Sequence, residues 1–142
     1  MSEFSISSPD FEEGGEIPKK FGYKDGNNMP EIRTHDAPAG TVATAMIMDD
    51  PDAMAAVGKV WVHWLATTDA AGELFNEGKN DFGEYGYGGP APPDKRHTYI
   101  FKVYALDEIP DVAEGFSKQE LEDAIKGHII AEAKLTGTYA PD

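Results

Sequence analysis

The stretch "KVWVHWLATT", residues 59–68, decides how the rest of the chain is read. β-Branched and aromatic residues fill it, and its apolar side chains fall on both alternating faces. A strand wetted on one side alternates apolar with polar; one apolar on both sides is a central strand covered from above and below. Working outward, "HTYIFKVYAL" (97–106) reads the same way, and "TVATAMIM" (41–48) is a third strand behind the turn "APAG" (37–40). "FSISS" (4–8) alternates until Pro9 stops it. "GYKDGNNMPE" (22–31) is turn chemistry, with Asp25-Gly26 and Asn27-Asn28 tolerant of positive φ. Residues 69–96 are Gly-rich with little periodicity; a connection that long in a compact domain is functional or anchored by its own contacts.

Only the C-terminal part reads as helical. Ser117 and Glu120 in "SKQE" form a capping-box pattern, serine accepting from the Glu120 N–H while the glutamate reaches back. Leu121, Ala124, Ile125, His128 and Ile129 then recur at three- and four-residue spacing, one stripe against the core, which Gly127 weakens and divides. "AKLTGTY" (133–139) returns to strand-like residues. With no internal repeat or low-complexity linker, the expectation is one domain over residues 1–142, a mostly β sandwich with a late helix.

Composition narrows the function. Twenty-six acidic against twelve basic residues give a formal charge of −14, which argues against nucleic acid or an anionic membrane surface as partner and fits a solvated, self-repelling coat. The chain has no cysteine, so disulfides, thiol catalysis and cysteine metal sites are excluded. No apolar run approaches the ~18 residues of a membrane span. The N-terminus has neither the basic start nor the apolar core of a secretory signal, so the expected location is the cytoplasm.

Three short elements carry chemistry. "MIMDDPDAM" (46–54) places Asp49, Asp50 and Asp52 where a strand runs into Pro51, an acidic cluster expected at a sheet edge or an Asp-rich turn. His63 lies between Trp61 and Trp64, either a satisfied core histidine or a site residue. His97 and Tyr99 are two apart on a strand, so both leave the same face, directly after the stiff loop "GYGGPAPPDKR" (86–96).

In this order and spacing the elements resemble the phosphatidylethanolamine-binding protein family, in the bacterial and archaeal branch often called Raf-kinase-inhibitor-like. Asp-Pro-Asp-Ala at 50–53, Trp-x-His at 61–63, Gly-Gly-Pro-x-Pro-Pro at 88–93 and His97-x-Tyr99 carry the resemblance. "DGNN" (25–28), "PAGT" (38–41) and "GHIIAEAKLTGTY" (127–139) extend it to both ends. It implies a Greek-key β-sandwich with a C-terminal helix and a small cavity that holds phosphate, acetate, cacodylate or a phosphoryl head group. Matched motif to motif, Asp50, Asp52, His63, Gly88, Gly89, Pro90, Pro92, His97 and Tyr99 would form the ligand site. On this reading prolines remove loop freedom and glycines let backbone N–H groups approach the anion.

The sequence departs from the family at two positions. Met54 stands where the family has proline, and Thr98 replaces the arginine of the usual His-Arg-Tyr; Arg96 and Lys95 are its nearest substitutes. The resemblance implies a non-enzymatic module without metal or cofactor that regulates a kinase or protease through protein contacts. A homodimer is compatible with it. The alternative is a hydrolase or lyase using Asp50, His63 and His97, since two imidazoles and a carboxylate can do acid–base work or hold zinc.

Overall fold

The computed structural model describes residues 3–71 and 73–141. Its strands are β1 (Ser5–Ser7), β2 (Gly15–Glu16), β3 (Arg33–His35), β4 (Ala43–Asp50), β5 (Trp61–Asp69), β6 (Leu74–Glu77), β7 (His97–Leu106) and β8 (Ile129–Tyr139). Two helices, α1 (Ala53–Val57) and α2 (Lys118–Ile125), follow β4 and precede β8. The chain is mostly β, as expected. Six strands form one sheet in the order β2-β8-β7-β4-β5-β6, antiparallel except for the β2–β8 pair; β1 and β3 form a separate antiparallel pair.

Both faces of the large sheet are covered, which is why its middle strands are apolar throughout. Met46, Met48, Trp64, Phe101, Val103 and Leu135 pack on one face against Ile6, Phe11, Ile17 and Phe21 from the N-terminal segments. Ala45, Ile47, Leu65 and Leu106 pack on the other against Phe116, Leu121 and Ile125, the last two from α2. Burying a side chain of this size is worth about 1.5–3 kcal/mol, so these two layers are the main stabilising term.

The helix starts as its capping box predicts: Ser117 Oγ accepts from the Glu120 N–H at 3.0 Å and Glu120 Oε1 accepts from the Ser117 N–H at 3.1 Å. It ends sooner than the stripe suggests. Gly127 takes φ 84°, a conformation that ends a helix rather than dividing it. His128 leaves the stripe to bond Asp107 and Glu108, and Ile129 becomes the first residue of β8, paired with Leu106. The 69–96 connection contains β6 and a Lys79–Tyr85 bridge, so it is more ordered than its composition suggests.

Near the site two expectations are corrected. The acidic cluster is not at a sheet edge: β4 has β7 on one side and β5 on the other, and Asp49 pairs with Ile100 and Val62. Helix is not confined to the C-terminal part, because α1 follows Pro51-Asp52 and is closed by Gly58, whose φ is 78° and whose N–H reaches the Met54 carbonyl at 3.0 Å. Five residues, Ala-Met-Ala-Ala-Val, are too few to show a helical period. Among the described residues no helix is long and apolar enough to cross a membrane.

Candidate functional site

The site lies where β4 ends and where β5 and β7 begin. Proline cannot continue a ladder, so Pro51 stops β4 with Asp50 as its last residue, opposite Trp61. Between Met48 and Asp49 the β4–β5 register shifts: Met48 pairs with Trp64 but Asp49 pairs with Val62, leaving His63 unpaired. One extra residue on a strand reverses the alternation beyond it. Val62 therefore joins the α2 layer while His63 turns to the opposite face and packs against Tyr99, ring centroids 5.1 Å apart. The bulge is what aims His63 at the site.

A cavity of about 290 Å³ opens there, with Asp50, Ala53, Trp61, His63, Ala91 and His97 on its wall. Tyr23 and Phe82 close another side, their rings stacked at 3.9 Å. A second hollow of about 220 Å³ lies across the proline loop; Pro90 and Pro92 border that one, and Ala91 and Pro93 border both.

His97 is fully buried and held at both ring nitrogens. Nδ1 lies 2.6 Å from Asp50 Oδ2 and Nε2 lies 2.7 Å from Asp94 Oδ1. Ionised carboxylates only accept, so two such bonds require an N–H at each nitrogen, that is, an imidazolium. Burial alone would lower the imidazole, but the hydrogen bonds and charges of Asp50 and Asp94 outweigh it and raise His97 above its usual value. Burial raises the Asp50 carboxyl against the opposing pull of His97, while its bond to His97 holds Asp94 below the usual carboxylate range.

His63 is the opposite case. Burial drives it down to about 4, against the pull of its carbonyl partners, so it is neutral near pH 7. Its Nδ1 lies 2.7 Å from the Gly88 carbonyl oxygen. A carbonyl can only accept, so the proton sits on Nδ1 and Nε2 is a bare acceptor. The site therefore contains one fixed cationic imidazole and one fixed neutral one.

The remaining expected residues occupy less direct positions. Asp52 accepts the Thr98 N–H at 2.8 Å, and its own N–H goes to Asp50 Oδ1 at 3.0 Å, so it ties α1 to β7 and braces Asp50. Gly88 and Gly89 are buried, but their N–H groups are already bonded, to the His63 carbonyl at 2.8 Å and to Asn27 Oδ1 at 2.7 Å. The glycines are needed for approach: a Cβ on Gly88 would lie 2.5 Å from the Phe82 ring, and one on Gly89 2.0 Å from the Phe21 carbonyl oxygen. Tyr99 is buried behind the two histidines. Its hydroxyl makes no hydrogen bond of normal geometry, though the Ala91 backbone lies near enough to favour its ionised form; burial first, then the Asp50 charge, push the phenol up. Arg96 turns away, 3.3 Å from Thr138 Oγ1 and 3.4 Å from Glu16.

Sequence reasoning misses two residues that the structure places at the candidate site. Asp94 is one, signalled only by its place three residues before His97 behind two prolines. Trp61 is the other: it lines the cavity, and its indole N–H is buried with no partner among the described residues. Also among the described residues, no three His, Asp or Glu side chains are grouped to hold a metal ion.

Comparison with known proteins gives the family. The UPF0098 protein of Chlamydia muridarum is 36% identical over 148 residues, covering 96% of this chain and 99% of the relative. That of Methanothermobacter thermautotrophicus is also 36% identical, over 91% of this chain and 93% of its own. Among solved structures, a phosphatidylethanolamine-binding protein homolog of Chlamydia trachomatis superposes over the whole of both chains with a TM-score of 0.89 and 34% identity. E. coli YbcL, described as a member of the mammalian PEBP family, superposes over 99% of this chain and all of its own with a TM-score of 0.88 and 27% identity. The sequence model for phosphatidylethanolamine-binding protein matches residues 7–140, a span that holds both histidines, their carboxylates and the proline loop, and the chain belongs to that family.

Proposed function

We propose that the protein is a single-domain binding module for a small anion or phosphoryl head group, seated in the cavity at His97. The observation that carries this reading is a buried imidazolium, held between Asp50 and Asp94, on the wall of a cavity that is otherwise largely apolar. A charge-assisted hydrogen bond from such a group is worth about 1.5–3 kcal/mol, enough to hold a small anion that has few other contacts. The apolar wall of Ala53, Trp61 and Phe82 supplies a low-dielectric surround in which a few fixed donors suffice. Asp50, Asp52, His63, Gly88, Gly89, Pro90, Pro92 and Tyr99 are its supporting residues, bracing the histidines and the loop that walls the cavity.

The architecture that goes with this reading is a Greek-key β-sandwich with its C-terminal helix in α2. The spatial order β7-β4-β5-β6 supports it, because three successive strands are joined by a fourth that returns beside the first. We further propose a cytoplasmic role, regulating a kinase or protease through protein contacts, on family membership alone.

The test is titration with inorganic phosphate and with phosphoethanolamine, followed by NMR of the His97 and Trp61 signals. His97→Gln keeps a neutral polar group but loses the charge, and binding should weaken about tenfold or more. Perturbed signals gathered elsewhere, or undiminished binding by the variant, would overturn the proposal.

A further inference from the structure

An imidazolium has two N–H groups, and in this protein both are occupied. Nδ1 faces Asp50, which is 3% exposed and is also held by the Asp52 N–H at 3.0 Å. Nε2 faces Asp94, whose side chain is 41% exposed and belongs to the loop just before β7. Any anion that uses His97 as a donor must therefore take the place of the Asp94 carboxylate. From this geometry we infer that Asp94 is an intrachain stand-in for the ligand, a latch that occupies the donor of His97 and must swing out before an anion binds. The inference rests on the proposed anion site and adds how that site is regulated.

The two sides of the latch differ in how firmly they are held. His97 is locked by burial and by Asp50. Asp94 Oδ1 has two described bonds, from His97 Nε2 at 2.7 Å and from the Lys95 N–H at 2.9 Å. Rotation about its own side chain would carry the carboxylate into water while the backbone, stiffened by Pro92 and Pro93, stays in place. Exchange of the carboxylate for another monoanion at Nε2 leaves the charge at that nitrogen unchanged, with Asp50 still balancing the imidazolium, so such binding adds no uncompensated charge to the buried end of the sheet. The latch also sets a threshold: an anion must outcompete a carboxylate held at very high effective concentration by the chain itself. Weak, abundant carboxylates are thereby disfavoured, while an anion whose remaining atoms also pack on the cavity wall is favoured.

The experiment uses acetate and inorganic phosphate as probes on wild type, Asp94→Ala and Asp94→Asn, with the His97 ring nitrogens followed by 15N NMR. Asp94→Ala empties the seat, so both anions should bind about three- to tenfold more tightly than to wild type. Acetate should return the Nε2 signal of Asp94→Ala toward its wild-type position, because it restores a carboxylate to the same nitrogen. Asp94→Asn, which keeps an acceptor but loses the charge, should fall between the two and serves as the second variant should alanine unsettle the loop. Equal or weaker binding by folded Asp94 variants, with wild type still binding at His97, overturns the latch and leaves the anion site standing. Failure of all three proteins to bind either anion overturns the site, and the latch with it.

Discussion

Asp49 and Asp50 are neighbours in the chain, each 3% exposed, and β4 turns them to opposite faces of the sheet. Asp49 meets two lysines, Lys118 at 3.1 Å and Lys102 at 3.6 Å, whose side chains are 29% and 26% exposed. Asp50 meets a histidine with no exposure at all. Both are buried carboxylates facing cations, yet the cations differ in whether they can reach water without moving the fold. A lysine ammonium on a flexible stem can turn outward; a buried imidazolium between two carboxylates cannot. The difference distinguishes the two faces: Asp49 and its lysines pin α2 to the sheet, and Asp50 with His97 fixes a charge at the wall of the cavity.

The largest effect is expected of Asp50→Ala. It leaves the Nδ1 side of a buried imidazole without its partner, and removing one member of a buried pair costs about 3–5 kcal/mol. Urea unfolding at pH 6 should show the loss in full. The sign follows from linkage: His97 is raised in the folded state, so its contribution is fully present below about pH 6.5 and is lost as pH climbs through its folded value. The gap between wild type and Asp50→Ala should therefore narrow as pH rises above that window. A gap that is constant with pH would mean that His97 is not charged by its carboxylates.

The next effect separates the two histidines. His63 falls from 6.5 to about 4 on folding, so the unfolded chain takes up its proton first and stability declines as pH drops between those values. At 1.36 kcal/mol per pH unit the full window is on the order of 3 kcal/mol. Asp94 is held below 3.8, so its loss falls at still lower pH and does not overlap. His63→Gln should flatten the stability profile between pH 6.5 and 4, whatever it does to stability at pH 7. An unchanged slope would show that His63 is not the group responsible. The two histidines thus depart from the ordinary imidazole value in opposite directions, His63 well below it and His97 above it.

How much of this can be read from the residues depends on whether a feature is decided locally. β7 spans His97–Leu106 as its apolar run predicts, and the Ser117–Glu120 box starts α2 where expected, because each is settled within a few residues. The end of α2 is not: Gly127 takes a positive φ and β8 pairs from Ile129 onward with β7, a long-range contact that overrides the helical stripe. His63 reaches the site through a bulge that exists only in its pairing with β4, so no pattern within 59–68 reveals its face. The glycines of 88–89 were legible as special positions but for the wrong reason; Phe82 and the Phe21 carbonyl need the space, and the N–H groups are used inside the protein. The resemblance brought the motif residues into one group. The register of β4, β5 and β7 put Tyr99 behind the histidines and Asp94 against one of them.

The smallest effect is expected of Asp49→Asn. By burial alone it should match Asp50→Ala, since both remove a carboxylate that is almost wholly enclosed. The surroundings say otherwise. Lys118 begins α2 and Lys102 lies mid-β7, and both keep about a quarter of their side-chain surface in water, so each ammonium can swing out once its partner is gone. Asparagine keeps the volume and an acceptor oxygen, leaving neither a cavity nor an unpaired buried charge. What remains is the loss of two partly screened ion pairs, about 1 kcal/mol or less, and about 0.15 M salt should shrink it further. The measurement is urea unfolding of Asp49→Asn beside Asp50→Ala, at low and moderate salt. If Asp49→Asn costs as much as Asp50→Ala, burial of the carboxylate governs both faces and the exposure of its cation does not. If it costs little and that little fades with salt, the cation's access to water decides which buried acid the fold depends on.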